Sequence, residues 1–381
     1  MMEAPQLSRL ASEAVALSGS QKAALEHVAA YARSRRAAAL SRQGEVLRMC
    51  DIAPEELEHA VANVKRYARV AMHFHPDRPT SHGDTVVHGL LRDGCYRSQF
   101  ETRLSNGGLT AHPGGRRDDC EQALFGGAYH RPGVTPAERP KYGSLDLLRH
   151  AEGPSPRFGS CYLVLSSHVS ERCTFTYMDS HDDPDERGTL EEFDDLLAAL
   201  LRDAFHREFA LGEPDMIPGR LVARLRDQLP MPRGQSANAL AVRNLNHYIE
   251  AQVHGDVVLG NDVDALVADA SFKGTQTEAL FVEICARDGV ELHWHPGFQL
   301  AVEDVPRTFR GPTMPSLAKR VGRRGVVNAR AIGDAVRELH TNHEAWQDRG
   351  THAEVLQELK LLWHVPVRFG EPVVPEGDGA C

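Results

Sequence analysis

No stretch of the sequence is both apolar enough and long enough to span a membrane, so a membrane-embedded chain is not expected. The opening MMEAPQLSRLASEAVALSGS lacks a basic start followed by a compact apolar core, which argues against a signal peptide. A cytoplasmic protein is expected, or an effector exported by a route that leaves no such mark. Paired metal-binding cysteines are missing as well. Cys50, Cys95, Cys120, Cys161, Cys173, Cys285 and Cys381 are scattered, odd in number and free of any CxxC spacing. That excludes a zinc ribbon and favours reduced thiols.

The common catalytic signatures are absent too. Gly107-Gly108, Gly114-Gly115 and Gly126-Gly127 do not fit a P-loop, and no GxGxxG opens a helix after a strand. There is no GxSxG elbow and no HExxH helix. No repeat and no low-complexity segment appears. Positive charge is in deficit: the net charge is −10 with histidine neutral, which argues against non-specific nucleic-acid binding.

What is present points to a soluble globular chain of 381 residues, with 41% apolar and 25% charged residues and length for two or three domains. Its unusual residues concentrate between His73 and Phe158, and thirteen of the 32 glycines lie between Gly83 and Gly159. Such loops suit a phosphorylated ligand, because glycine lets a ligand approach the backbone. The competing reading is a loop-rich domain whose glycines only make turns.

Residues 1 to about 65 read as helical. Pro54 suits a first turn, Glu55 and Glu56 complement the helix dipole, and Leu57, Val61, Val64 and Ala68 recur at helical spacing. Then the period changes to two. Val70, Met72 and Phe74 alternate with Ala71, His73 and His75, which predicts a strand ended by Pro76. A second strand is predicted over Gly94 to Glu101, with Tyr96, Ser98 and Phe100 on one face. Loops are predicted from Asn106 to Gly159, then strands at Tyr162–Leu165 and Cys173–Tyr177. A helix capped by Thr189 and Glu192 follows, with Phe193, Leu196, Leu197, Leu200, Leu201, Ala204 and Phe205 as its stripe. In HYIEAQVHG, Tyr248, Glu250, Gln252 and His254 share one strand face, opposite Ile249, Ala251 and Val253. Short strands near Val257 and Leu266, a helix over Glu278–Arg287 and a strand at Val290–Trp294 come next. From Pro312 the chain reads as helical, with Leu339, Trp346, Leu356, Leu359, Leu361, Leu362 and Trp363 in its core.

Two local motifs suggest other functions. His75-Pro76-Asp77 is similar to the J-domain tripeptide, although Gly83, Gly89 and Gly94 weaken the helix that a J-domain needs next. His73-x-His75 and His293-x-His295 could each present two imidazoles to a metal, with Asp77 or Asp269 completing a hydrolase site.

The ordered set HFHPDR (73–78), YRSQFET (96–102), SNGG (105–108), LFGGAYH (124–130), RPKYGSLDL (139–147), PRFGSC (156–161) and EAQVHG (250–255) resembles a bacterial family described as a domain of unknown function. The likeness covers roughly residues 60 to 300, with LLWHV near the C-terminus as a possible extension. Arg103 stands where that family has glycine. More remotely, the family resembles mono-ADP-ribosyltransferases. That resemblance implies an α+β fold whose core is a split β-sandwich holding NAD, here at residues 66–300 with a helical insertion at about 189–245. Helical regions at 1–65 and 301–381 would flank it.

The same resemblance implies an enzyme that breaks the nicotinamide–ribose bond of NAD, its substrate, and transfers ADP-ribose to an acceptor: protein, nucleic acid or small molecule. It needs no membrane and no metal. Glu250 would stabilise the ribose cation, Gln252 would position ribose or acceptor, and Ser98 would orient Glu250. Glu101 is the rival carboxylate. His73, His75, Arg78, Tyr96, Arg97, Gly107, Gly108 and Tyr129 would bind NAD. The late pair reads Glu250-x-Gln252 instead of two acids. The chemistry accounts for these residue types: an oxocarbenium-like ribose needs a carboxylate, and a pyrophosphate needs Arg or His.

Overall fold

The computed structural model describes residues 15–80, 83–104, 110–231 and 245–373. The stretch MPRGQS (231–236), whose proline and glycine predict a loop, lies outside the described residues apart from Met231, as do Gly107 and Gly108. Helices α1 (Gly19–Met49) and α2 (Pro54–Tyr67) come first. Pro54 occupies the first turn of α2, and Leu57, Ala60 and Val64 bury one face. Arg35 and Arg42 clamp α1 to Asp195 at 2.6 Å each, at the start of α5 (Asp194–Arg207). In between lie α3 (Val86–Asp93) and α4 (Arg116–Leu124).

Eight strands make one mixed sheet. They are β1 (Arg69–Phe74), β2 (Lys141–Asp146), β3 (Cys161–Leu165), β4 (Cys173–Tyr177), β5 (Arg187–Thr189), β6 (Ile249–Val253), β7 (Val263–Asp269) and β8 (Glu291–His295). Their order is β8-β7-β3-β1-β2-β6-β4-β5. All neighbours are antiparallel except β7 and β8, which are parallel and joined through α6 (Gln276–Asp288). The expected core was a split sandwich; these strands are hydrogen-bonded as a single sheet. The chain closes with α7 (Met314–Val321), α8 (Ala329–Thr341) and α9 (His352–Phe369). Leu339, Trp346, Leu359, Leu362 and Trp363 are buried there as expected, while Leu356 and Leu361 are half-buried.

Register gives the sheet two unlike faces. Ala71 pairs with Ser144, Ser144 with Glu250 and Glu250 with Thr176. Tyr142 pairs with Gln252, and Gln252 with Thr174. Directly opposed residues share a face, so this side carries hydroxyls, an amide and a carboxylate. The other side carries Val70, Met72, Leu145, Leu163, Phe175, Ile249 and Ala251, all in the main hydrophobic core.

Three predicted elements differ. The loop predicted over 106–159 contains α4 and the central strand β2. KYGSLD reads as loop because one of its faces is polar and its centre is glycine. Gly143 is required there: a Cβ would stand 2.7 Å from the carbonyl oxygen of Ala71 on β1. The strand predicted over Gly94–Glu101 is a two-residue strand, Cys95–Tyr96, followed by a one-turn helix, Gln99–Thr102. Thr189 accepts a hydrogen bond from the Glu192 amide but belongs to β5, and α5 starts later, at Asp194.

Candidate functional site

Two cavities meet at one end of the sheet. The larger, about 710 Å³, lies where β1 ends and β2 begins. Phe74, Leu90, Tyr96, Tyr142 and Leu356 give it apolar wall, and Arg78, Arg97, Lys141 and Lys360 give it charge. The smaller, about 50 Å³, lies over the polar face and is lined by His73, Arg117, Ser144, Ser155 and Glu250 among others. Tyr96, Gln99 and Tyr142 line both, forming the wall between them.

Glu250 is the buried carboxylate of the recess, 4% exposed. Burial pushes its carboxyl up to about 7; Asp179 adds to the rise, and Arg117 with hydrogen bonds from Ser180 and Gln252 opposes it. Arg117 stacks its guanidinium 4.2 Å over the Tyr142 ring and donates to Ser180 Oγ at 3.3 Å. The Tyr142 hydroxyl donates to Glu121 at 2.8 Å, and Arg139 donates to the other oxygen of Glu121 at 2.8 Å. A buried pair therefore fixes the tyrosine ring at the junction of the two cavities.

Behind Glu250 runs a chain of buried hydrogen bonds. Thr174 Oγ1 donates to Gln252 Oε1 at 2.8 Å, and Gln252 Nε2 donates to Glu250 Oε1 at 2.9 Å. Because Thr174 donates in that direction, it accepts from His254 Nε2 at 3.1 Å. His254 Nδ1 must then accept from the Tyr129 hydroxyl at 2.6 Å. This order requires a neutral imidazole, and burial lowers the His254 pKa to about 3. Each bond in such a series polarises the next.

The candidate residues divide accordingly. His75, Arg78, Tyr96, Arg97 and Glu101 line the large cavity, while His73 and Glu250 line the recess. Gln252 is fully buried behind Glu250 and Tyr129 is 2% exposed; neither lines a cavity. Ser98 does not orient Glu250. It caps the one-turn helix: its Oγ accepts from the Glu101 amide at 3.2 Å and donates to the Pro136 carbonyl at 2.8 Å. Glu101 completes that capping box by accepting from the Ser98 amide, and it also pairs with Arg97 at 3.0 Å. Ser98-x-x-Glu101 is the sequence signature of a capping box, and that signal identifies the turn.

Several site residues had no signal of their own. Arg117, Tyr142 and Ser144 lie in the stretch expected to be loop, and Lys360 comes from the last helix, which brings it to the cavity only in the folded chain. Unsatisfied polar atoms gather here. Arg78 Nε and Nη1, Gln99 Oε1 and Arg117 Nε are buried with no hydrogen-bond partner. Such atoms cost stability and mark where a ligand's polar groups would be stabilised.

The alternative motifs read differently in three dimensions. His73 Nδ1 bonds the Gly159 carbonyl at 3.0 Å, and Nε2 accepts from the Ser155 amide at 3.3 Å. His295 Nε2 bonds the Ser160 carbonyl at 2.7 Å, and Nδ1 accepts from the Gly297 amide at 3.0 Å. Both rings thus spend both nitrogens on backbone. Among the described residues, no group of three or more His, Cys, Asp or Glu is placed to hold a metal ion. Asp77 of the J-domain-like tripeptide is buried, burial raises its carboxyl to about 6, and the tripeptide follows a strand instead of joining two helices. Among the described residues, no helix is long and apolar enough to cross a membrane.

No curated protein matches the chain. The family described as "Protein of unknown function (DUF3626)" matches residues 69–369, from the first residue of β1 to the last of α9. The match runs past the boundary expected near residue 300 and takes in the helix that carries Lys360. The chain therefore belongs to the DUF3626 family.

Proposed function

We propose that the protein is an NAD-dependent ADP-ribosyltransferase-like enzyme. The observation that carries this reading is Glu250: a carboxylate held by Gln252 at the head of a polar recess, beside a nucleotide-sized cavity with a basic wall. In the reaction, the bond between nicotinamide and ribose C1′ breaks and its electron pair leaves with nicotinamide. Ribose C1′ becomes oxocarbenium-like, and ionised Glu250 stabilises that charge. An acceptor nucleophile then bonds C1′ and gives its proton to the carboxylate.

Arg78, with its two unpartnered nitrogens, suits the pyrophosphate. Tyr96 and Tyr142 offer ring surface at the junction where the ribose meets Glu250. The recess, at about 50 Å³, holds no nicotinamide ring, so the bulk of NAD belongs in the larger cavity, with the ribose against the shared wall. Gln252, His254 and Tyr129 position Glu250 from behind, and His73 braces the recess floor.

The test is release of nicotinamide from NAD by the full chain. Glu250→Gln should bind NAD nearly as well and release nicotinamide about a hundredfold more slowly, the size of one lost transition-state contact. Release by the wild type should rise with pH around 7, where Glu250 ionises, and that dependence should vanish in the variant. Normal turnover by Glu250→Gln would sink the assignment.

A further inference from the structure

We propose that Lys360 on the C-terminal helix and Arg78 on the loop after β1 form a subsite for a phosphate group of the ligand. This deepens the reading above by giving α9 part of the ligand site, and its test needs no turnover, so the two can fail separately.

Arg78 is 6% exposed, lies on the wall of the large cavity, and leaves Nε and Nη1 without partners. Lys360 lines the same cavity from α9, together with Leu356 one turn earlier. The two charges feel each other: burial first, then Arg78, lowers the Lys360 ammonium to about 8. Among the described lining residues, the cations are Arg78, Arg92, Arg97, Arg103, Lys141 and Lys360, and the acids are Asp93 and Glu101. Both acids are engaged elsewhere. Asp93 pairs with Arg92 at 2.8 Å and Arg97 at 3.2 Å, and Glu101 pairs with Arg97 at 3.0 Å. Lys141 spends its ammonium on the carbonyls of Ala137 and Gly255.

Burial holds His75 and His364 below their ordinary pKa, which favours the neutral ring, while Asp77, raised by burial to about 6, is ionised near pH 8 and is the acid that acts on Arg78. Arg78 disfavours the charged form of the half-buried Lys360, and an anion bound between them offsets that effect. A guanidinium gives a phosphate two directed donors, and an ammonium gives it a point charge.

The experiment is calorimetric titration of the full chain at low salt near pH 8 with AMP, and with adenosine as the uncharged control. AMP should bind at least about tenfold more tightly than adenosine, the weight of one hydrogen bond to a charged group. Binding should also take up protons, seen as a heat that depends on the buffer, because the phosphate restores full charge to Lys360. Lys360→Met should reduce AMP affinity toward that of adenosine and abolish proton uptake. Lys360→Arg, the gentler variant, should keep the affinity and lose the uptake. AMP binding no better than adenosine, or unaltered AMP affinity and proton uptake in both variants, overturns the proposal. AMP binding as expected without any cleavage of NAD would sink the transferase reading alone.

Discussion

The side-chain amide of Gln252 donates to the carboxylate of Glu250 at 2.9 Å, two residues back on the same strand face. The amide cannot point the other way, because its oxygen is held by the Thr174 hydroxyl at 2.8 Å. A glutamine in place of a second acid thus gives Glu250 a fixed donor instead of a like charge. A second carboxylate there would push Glu250 further toward its neutral form.

Replacing Gln252 with methionine keeps the volume and removes the donor. The ionised form of Glu250 loses a hydrogen bond, so its pKa rises above about 7. The rising limb of the pH–rate profile for nicotinamide release should move to higher pH, with NAD affinity little changed. A profile that stays in place would show that Gln252 does not act on Glu250.

Ser98→Ala tests the capping role. Loss of an N-cap serine costs about 1 kcal/mol, read as a lower urea midpoint. Because Ser98 bonds Pro136 and Glu101, the pH midpoint of the reaction should not move. A shift of that midpoint as large as the one in Gln252→Met would restore Ser98 as the residue that orients Glu250.

His254 makes stability depend on acid. Its folded pKa is lowered to about 3, so its contribution is present above the unfolded value near 6.5 and is lost as pH falls below it. Between pH 7 and pH 5 that loss should be about 2 kcal/mol from this one group. His254→Gln should be less stable at pH 7, because it breaks the bonds to Tyr129 and Thr174, yet should lose less on acidification. Urea unfolding of both proteins at the two pH values decides it; equal losses would mean that His254 does not carry the dependence.

Gly159→Ala tests close packing at the recess. A Cβ at this position would overlap the backbone of Phe74, next to His73, whose ring bonds the Gly159 carbonyl. Overpacking against a central strand should cost about 1–3 kcal/mol and displace the His73 ring. An unchanged thermal midpoint would show that the backbone yields there.

Much of the framework was legible before any tertiary information. The alternation in RVAMHF and in YIEAQVHG predicts β1 and β6 with their apolar and polar faces, because a strand must put successive side chains on opposite sides. Pro54 with Glu55 and Glu56 predicts the start of α2, and the leucine stripe predicts most of α5, since both signals are local.

Local chemistry decided those parts by itself; the site depended on long-range contacts. Lys141–Asp146 is a strand because β1 and β6 pair with it on either side, and nothing in KYGSLD announces that. Arg117 and Glu250 lie 133 positions apart in the chain, and Arg78 and Lys360 lie 282 apart, yet each pair meets at one cavity. The sequence determined which residues could serve as carboxylate, donor and cation. Which of them are buried together, and therefore carry shifted charge and unsatisfied hydrogen bonds, only the packing of the sheet against α4 and α9 decided, because desolvation belongs to a place in the fold and not to a residue type.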